Sequence, residues 1–266
     1  MDDVVGIVDA IGFGDPVHRP KFVEAILDAW RGRLVLHIVG LRPGVADLSF
    51  FDSLLAEIGT PYDLAEDATT GDRHHQRTGK RWMEVRFDPD IPDAYRHSSS
   101  AQPLHTDGSY IANFPSATLM FCVHAAPSGG ETVFLPAEDL VSIMGEMAPE
   151  LLAQLHSTVV AHRRSGDERN LPILRFTESG APLLNWNYYC VDRNAEPGVI
   201  DLADRLFAFL RDEPAIGRAC RPVPLQPGEA VVWKDDRLLH GRNAFSAGES
   251  SERFIWKCAV DVGVWT

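Results

Sequence analysis

Two side chains near the middle of the chain have the types and spacing to hold a metal. In Leu104-His105-Thr106-Asp107-Gly108-Ser109-Tyr110, an imidazole and a carboxylate stand two residues apart. On an extended strand, residues i and i+2 point to the same face, so His105 and Asp107 can aim at one point in space. His240, in Leu238-Leu239-His240-Gly241-Arg242, can supply a second imidazole. Two His and one carboxylate on one face of a metal leave its other positions open, the arrangement that non-haem Fe(II) oxygen chemistry requires. Thr-Asp-Gly-Ser is also good turn chemistry, so the H-x-D spacing alone leaves a plain turn open.

Further residues fit the same chemistry, and strands must bring them together. His240 follows a Pro-Gly turn, the apolar run Ala230-Val231-Val232-Trp233 and the acidic turn Asp235-Asp236. Arg253 opens the apolar run Phe254–Val260. A guanidinium buried there wants a carboxylate partner, and its bidentate fork matches one end of a dicarboxylate. Gly129-Gly130-Glu131-Thr132 is a glycine turn that delivers a hydroxyl at a strand start, where Thr132 can donate to the same carboxylate. Arg242, two residues past His240, competes with Arg253 for that role.

The rest of the chain reads as one mainly β domain over 1–266, with packing helices. Amphipathic periodicity predicts helices over Pro20–Trp30, Leu48–Ile58, Ala137–Leu155 and Asp201–Arg211. Strands are expected at Leu34–Val39, Trp82–Phe87, Ala117–His124, Thr132–Leu135, Thr158–Ala161, Pro182–Tyr189, Ala230–Trp233 and Arg253–Val260, most of them separated by Gly/Pro/Asp/Ser turns. Residues 62–81 read as a polar loop, in which the adjacent His74 and His75 point apart on an extended chain. Many short strands with inserted helices suggest a jelly-roll barrel, with a helix–strand–helix opening over about residues 1–60 packed on it.

At 266 residues, with 45% hydrophobic and 24% charged, the chain can bury a sizeable core. Its formal net charge of -13 disfavours nucleic-acid and anionic-membrane partners. The four cysteines are widely spaced with no C-x-x-C pair, which suggests neither a disulfide framework nor a zinc ribbon and fits a reducing cytoplasm. The acidic start Met1-Asp2-Asp3-Val4-Val5 lacks the pattern of a signal peptide, and no apolar run has the length of a membrane span.

Taken in order, these segments resemble the taurine dioxygenase / clavaminate synthase-like superfamily of Fe(II)- and 2-oxoglutarate-dependent oxygenases. The resemblance rests on Pro103–Tyr110, Gly129–Thr132, Leu171–Arg175, Pro227–Trp233, Leu239–Phe245 and Arg253, and covers about Trp82 to Val262. It implies a double-stranded β-helix of the jelly-roll, cupin-like kind. It further implies His105, Asp107 and His240 as Fe(II) ligands, and Arg253 with Thr132 as the anchor for the distal carboxylate of 2-oxoglutarate. O2 is the second cosubstrate. The expected reaction couples oxidative decarboxylation of 2-oxoglutarate to oxidation of a small polar substrate, with C-hydroxylation as the default outcome. The chain departs from the family at Asp235-Asp236, where Asp-Asn is common. Asp107 itself argues against halogenation, because related halogenases carry a small residue there.

On the substrate side, Tyr110, Asn185, Asn187 and Arg86 are candidate contacts, Asn185 and Asn187 because they share a face if Pro182–Tyr189 is a strand. Arg163, Arg164 and Arg169 form a charged loop, and His37, His124, His156 and His162 have no partner at ligand spacing. An amino acid or small carboxylate is the favoured substrate. Desaturation, cyclisation or isonitrile-type oxidation would use the same iron site. A non-catalytic metal- or ligand-binding jelly roll would need neither Arg253 nor Thr132, and a zinc hydrolase would need a general base near the triad that the sequence does not offer. A homo-oligomer is left open.

Overall fold

The computed structural model describes residues 4–13, 19–42, 46–63, 81–91 and 95–262. His74 and His75, like most of the expected polar loop, lie outside the described residues. Among the described residues, no helix is long and apolar enough to cross a membrane.

The frame is a jelly roll of two sheets that share a core. The larger sheet has seven strands. Val5–Asp9 and Val35–Val39 run parallel, followed by Ala230–Lys234, Ala117–His124 and Phe254–Asp261, with Thr60–Pro61 and Met83–Arg86 both paired to Phe254–Asp261. The smaller sheet has the order Arg221–Val223, Thr132–Pro136, Leu238–Arg242, Gln102–His105, all antiparallel. Period-two alternation sorts each strand between two environments. Phe134, Leu238, Val223, Met120, Cys122, Val231, Trp233 and Ile255, drawn from both sheets, form the buried cluster between them. Leu135 and Leu239 point the other way, into a cluster with the helices Ala137–Met147, Pro149–Ser157 and Pro197–Asp212. The outer face of the large sheet, through Leu119, Phe121, Val232 and Val260, packs on the helices Arg19–Gly32 and Leu48–Ile58.

The opening part therefore joins the fold through backbone pairing as well as packing, because Val35–Val39 is an interior strand of the large sheet. Leu48–Ile58 forms where the apolar spacing predicts it. Asp47 caps it, accepting the Phe50 N–H at 2.9 Å, and Gly59 follows its last turn. Phe51, fully buried on this helix, stacks on Phe121 with ring centroids 4.3 Å apart.

Three expectations need correction. The single helix over Ala137–Leu155 is two, because Pro149 starts a new helix and Ala148 before it sits at φ -151°, ψ 57°. The charged loop holding Arg163, Arg164 and Arg169 is a hairpin of Val159–Arg164 and Asp167–Pro172. Ser165 and Gly166 both take positive φ at its turn, as a two-residue hairpin turn demands. The expected strand Pro182–Tyr189 stops at Leu184 and gives way to a 3-10 turn at Tyr188–Cys190, whose start the Asn187 side chain caps by accepting the Tyr189 N–H.

Phe51→Ala would empty a site with no solvent access and should lower unfolding free energy by about 3–5 kcal/mol, read by denaturant titration. Divalent-metal affinity should be unchanged, since Phe51 lies on the far side of the large sheet from the inter-sheet space.

Candidate active site

One end of the inter-sheet space gathers the chemistry-bearing side chains. His105 ends the strand Gln102–His105 and is the direct cross-strand partner of His240, so the two rings come side by side with centroids 4.2 Å apart. Asp107 lies just beyond His105. One donor atom each from His105, Asp107 and His240 falls within 4.8 Å of the others, and among the described residues this is the one such group of metal-ligating side chains. Nε2 of His105 is 3.8 Å, and Nε2 of His240 3.7 Å, from the same Asp107 oxygen, Oδ1.

The strand pairing shifts register between His240 and Arg242, and Gly241 occupies the shift. A Cβ on Gly241 would stand 2.7 Å from the Gln102 carbonyl oxygen, so the close approach of these strands requires glycine.

The protonation states suit a cation. Burial, then the neighbouring His240, pushes His105 down to about 3, and burial pushes His240 down to about 4, so both imidazoles are neutral at neutral pH. His105 donates from Nδ1 to the Pro103 carbonyl at 2.8 Å, which turns the lone pair of Nε2 toward Asp107. The Gln102 amide nitrogen stands 3.2 Å from that Nε2. Among the described residues neither ring nitrogen of the fully enclosed His240 makes an aligned hydrogen bond, although its Nδ1 stands 3.2 Å from Oδ1 of Asp235. Burial works against a charge on Asp107, but Lys257 and the two imidazoles outweigh it and hold the carboxyl below the usual carboxylate range. The donor set therefore fits a divalent cation such as Fe(II): two neutral imidazoles, an ionised carboxylate and an orphaned buried nitrogen.

Two residues beside the group escape prediction from spacing. Lys257 is largely buried and places Nζ 2.5 Å from both oxygens of Asp107. Arg253, Ile255 and Lys257 follow strand alternation onto the inter-sheet face, which is the signal that could have found Lys257. The other is Asp235, whose carboxyl is pushed up to about 7 by burial and then by the charge of Asp107. A cation at the three ligands would favour its ionised form.

A second polar cluster lies against Phe245. Arg253 and Arg242 are both buried, and both guanidinium carbons stand over the Phe245 ring, at 5.3 Å and 4.9 Å. Arg242 donates from Nη2 to the carbonyls of Ser98 and Ser100, at 2.8 and 2.5 Å. Arg253 donates from Nη2 to the Gly130 carbonyl at 3.2 Å, and its Nη1 is buried without a partner among the described residues. A Cβ on Gly130 would lie 3.0 Å from the Arg253 Nε, so the glycine turn makes room for the guanidinium. Among the described residues, neither arginine is ion-paired to a carboxylate. Burial pulls Arg242 down to about 9, helped by Arg253, and Arg253 to about 10. Two buried cations without a counter-charge are costly to keep, and an anionic ligand relieves that cost. Thr132 is buried on the neighbouring strand, opposite Arg242. This cluster fits the carboxylate of 2-oxoglutarate.

A cavity of about 760 Å³ opens at the His/Asp group, and His105, Asp107, His240, Lys257, Tyr110 and Asn187 are on its wall. Two proposed substrate contacts are not. Asn185 is buried behind the wall, donating to the Ser109 carbonyl and facing His162, because the strand that would have aligned it with Asn187 ends early. Arg86 is engaged by Glu84, Asp88 and Ser250. The remaining histidines stand apart: His37 pairs with Glu229, while His124 and His156 face backbone carbonyls.

Asp107→Ala should weaken Mn(II) binding by more than about 100-fold, beyond what losing an outer-shell partner costs. It should also destabilise the metal-free protein by about 3–5 kcal/mol, because Lys257 is left buried without its partner. Isothermal titration and denaturant unfolding read the two effects separately.

Comparison with known proteins places these features in context. Residues 8–259 match the family described as "Taurine catabolism dioxygenase TauD, TfdA family". A uridine-5'-phosphate dioxygenase from Amycolatopsis sp is 23% identical over 231 residues, covering 79% of this chain and 80% of that protein. A tyrosine isonitrile desaturase from Erwinia amylovora is 29% identical over 173 residues, 58% of each chain. Among solved structures, an asparagine oxygenase in complex with Fe(II), 2S,3S-3-hydroxyasparagine and succinate superposes with a TM-score of 0.68 at 14% identity, covering 91% of this chain and 84% of that one.

Proposed function

The chain belongs to the TauD, TfdA family and is accordingly an Fe(II)- and 2-oxoglutarate-dependent dioxygenase; on that premise we propose that it hydroxylates a small polar molecule such as an amino acid or small carboxylate. The observation that carries the reading is the meeting of His105, Asp107 and His240 within 4.8 Å, at the wall of a cavity large enough for a small substrate. His105, Asp107 and His240 are the iron ligands. Arg253, assisted by Thr132, binds the distal carboxylate of 2-oxoglutarate. Bound iron with 2-oxoglutarate supplies oxidative decarboxylation coupled to removal of a substrate hydrogen.

This chain's residues supply orientation and shielding. The Pro103 carbonyl fixes the ring of His105, and the unpartnered Nη1 of Arg253 offers the second arm of a fork for a carboxylate. Tyr110 is buried on the cavity wall and Asn187 presents an amide there, so both are substrate contacts in this reading. Likeness to an oxygenase crystallised with hydroxyasparagine supports an amino-acid substrate, and likeness to a tyrosine isonitrile desaturase supports desaturation as the second reading. Product mass separates the two, since hydroxylation adds an oxygen atom and desaturation removes two hydrogens.

One catalytic domain over 1–266 is part of the same proposal, supported by the seating of Val35–Val39 inside the large sheet. Three buried free thiols, Cys122, Cys190 and Cys258, support a cytoplasmic setting.

Purified protein with Fe(II), 2-oxoglutarate and ascorbate should release succinate in step with oxidation of one member of a panel of amino acids, amines and small acids. Arg253→Ala should raise the 2-oxoglutarate requirement by about 10-fold or more, the cost of one lost charged hydrogen-bond pair, with little change in the iron requirement. If Arg242→Ala does this and Arg253→Ala does not, the cosubstrate assignment is reversed.

A further inference from the structure

Asp235 joins the two halves of the metal group from behind. It sits in the turn between the strands Ala230–Lys234 and Leu238–Arg242, and its own N–H is donated to the Ser116 carbonyl at 2.7 Å. Its buried side chain meets three nitrogens. Oδ2 accepts the backbone N–H of Asp107 at 2.8 Å. Oδ1 accepts the Trp233 indole N–H at 2.9 Å and stands 3.2 Å from Nδ1 of His240.

The first two nitrogens can only donate. If Nδ1 of His240 donates as well, all three groups want an acceptor, and a carboxylate is the side chain here that accepts on every side. An amide cannot replace it without conflict. With its NH2 in the place of Oδ2 it would oppose the Asp107 N–H. With its NH2 in the place of Oδ1 it would oppose the indole N–H and would donate to His240 Nδ1, driving the ring to the other tautomer. His240 turns its opposite nitrogen, Nε2, toward Asp107. Its tautomer therefore decides whether a lone pair or a proton faces the metal position.

We propose that Asp235 is the positioning carboxylate of this centre, imposing the Nδ1–H tautomer on His240 and tethering the backbone of Asp107, so that both ligands present lone pairs to one point. The proposal rests on the reading of His105, Asp107 and His240 as metal ligands and adds a residue that touches neither metal nor substrate. The Asp235 side chain thereby couples two ligands that are far apart in sequence. A role limited to bracing the turn would require the contact with Ser116 and little of the side chain.

Two measurements test this without turnover, the first on metal-free protein and the second by titration with Mn(II). Long-range 1H–15N correlation of the histidine rings should show His240 protonated at Nδ1 and bare at Nε2 in the unaltered protein. In Asp235→Asn that preference should be lost or inverted. Mn(II) affinity in Asp235→Asn should fall about 10- to 100-fold while the thermal midpoint stays close to that of the parent. A native His240 protonated at Nε2 overturns the proposal, and needs no variant to fold. Equal Mn(II) affinity in Asp235→Asn and parent overturns it too, while leaving the metal-ligand reading intact. If the unaltered protein binds no Mn(II), the ligand reading fails and this proposal falls with it.

Discussion

The structure turns on one buried negative charge. Asp107 sits where two sheets part, enclosed on most sides, and an ionised carboxylate there needs a cation close by. Lys257 meets that need with an ammonium at 2.5 Å from both oxygens. The same carboxylate faces the Nε2 atoms of His105 and His240, which carry no charge of their own. Asp107 is thus balanced between a resident cation from one sheet and a pair of neutral donors from the other. A divalent ion held by His105, Asp107 and His240 would supply the same counter-charge to Asp107 as the ammonium does.

Much of the fold can be read as the means of keeping that point dry and rigid. The small sheet places His105 opposite His240, and the large sheet carries Arg253 and Lys257 on its inner face. Helices cover the outer faces of both sheets, so the polar groups are concentrated where the sheets meet. Charges are segregated along this space. Asp107 lies at the cavity, whereas Arg242 and Arg253 lie against Phe245 with no carboxylate partner among the described residues. A ligand with a carboxylate for the arginines and a chelating end for the metal would settle both imbalances at once. Oxoglutarate has that form.

Periodicity explains what the sequence discloses and what it hides. The apolar run Ala117–His124 and the capped stripe Leu48–Ile58 are local signals, and each element forms where local pattern puts it, whereas the strand expected to carry both His105 and Asp107 ends at His105 and leaves Asp107 in a turn. Ordered motifs placed His240, Thr132 and Arg253 in the same region through resemblance to known enzymes. Errors arise where a local signal is ambiguous. Pro149 splits a helix whose apolar stripe runs on through it, and the amide–aromatic alternation after Leu184 mimics a strand although the backbone turns there. The charges of the Val159–Pro172 hairpin mask a strand pair that its Ser165-Gly166 turn announces. Asp235 is visible in the sequence as the first residue of the acidic Asp235-Asp236 turn. Its meaning is not, because the backbone N–H of Asp107 that it accepts comes from a distant part of the chain.

The central claim is that His105, Asp107 and His240 hold Fe(II) with open positions that 2-oxoglutarate fills as a chelate. Anaerobic addition of Fe(II) and then 2-oxoglutarate to the purified protein, followed by visible absorption, tests it most directly. The account predicts a metal-to-cosubstrate charge-transfer band that needs both additions and disappears in His240→Ala. Absence of the band in the unaltered protein, or its persistence in His240→Ala, would contradict the account.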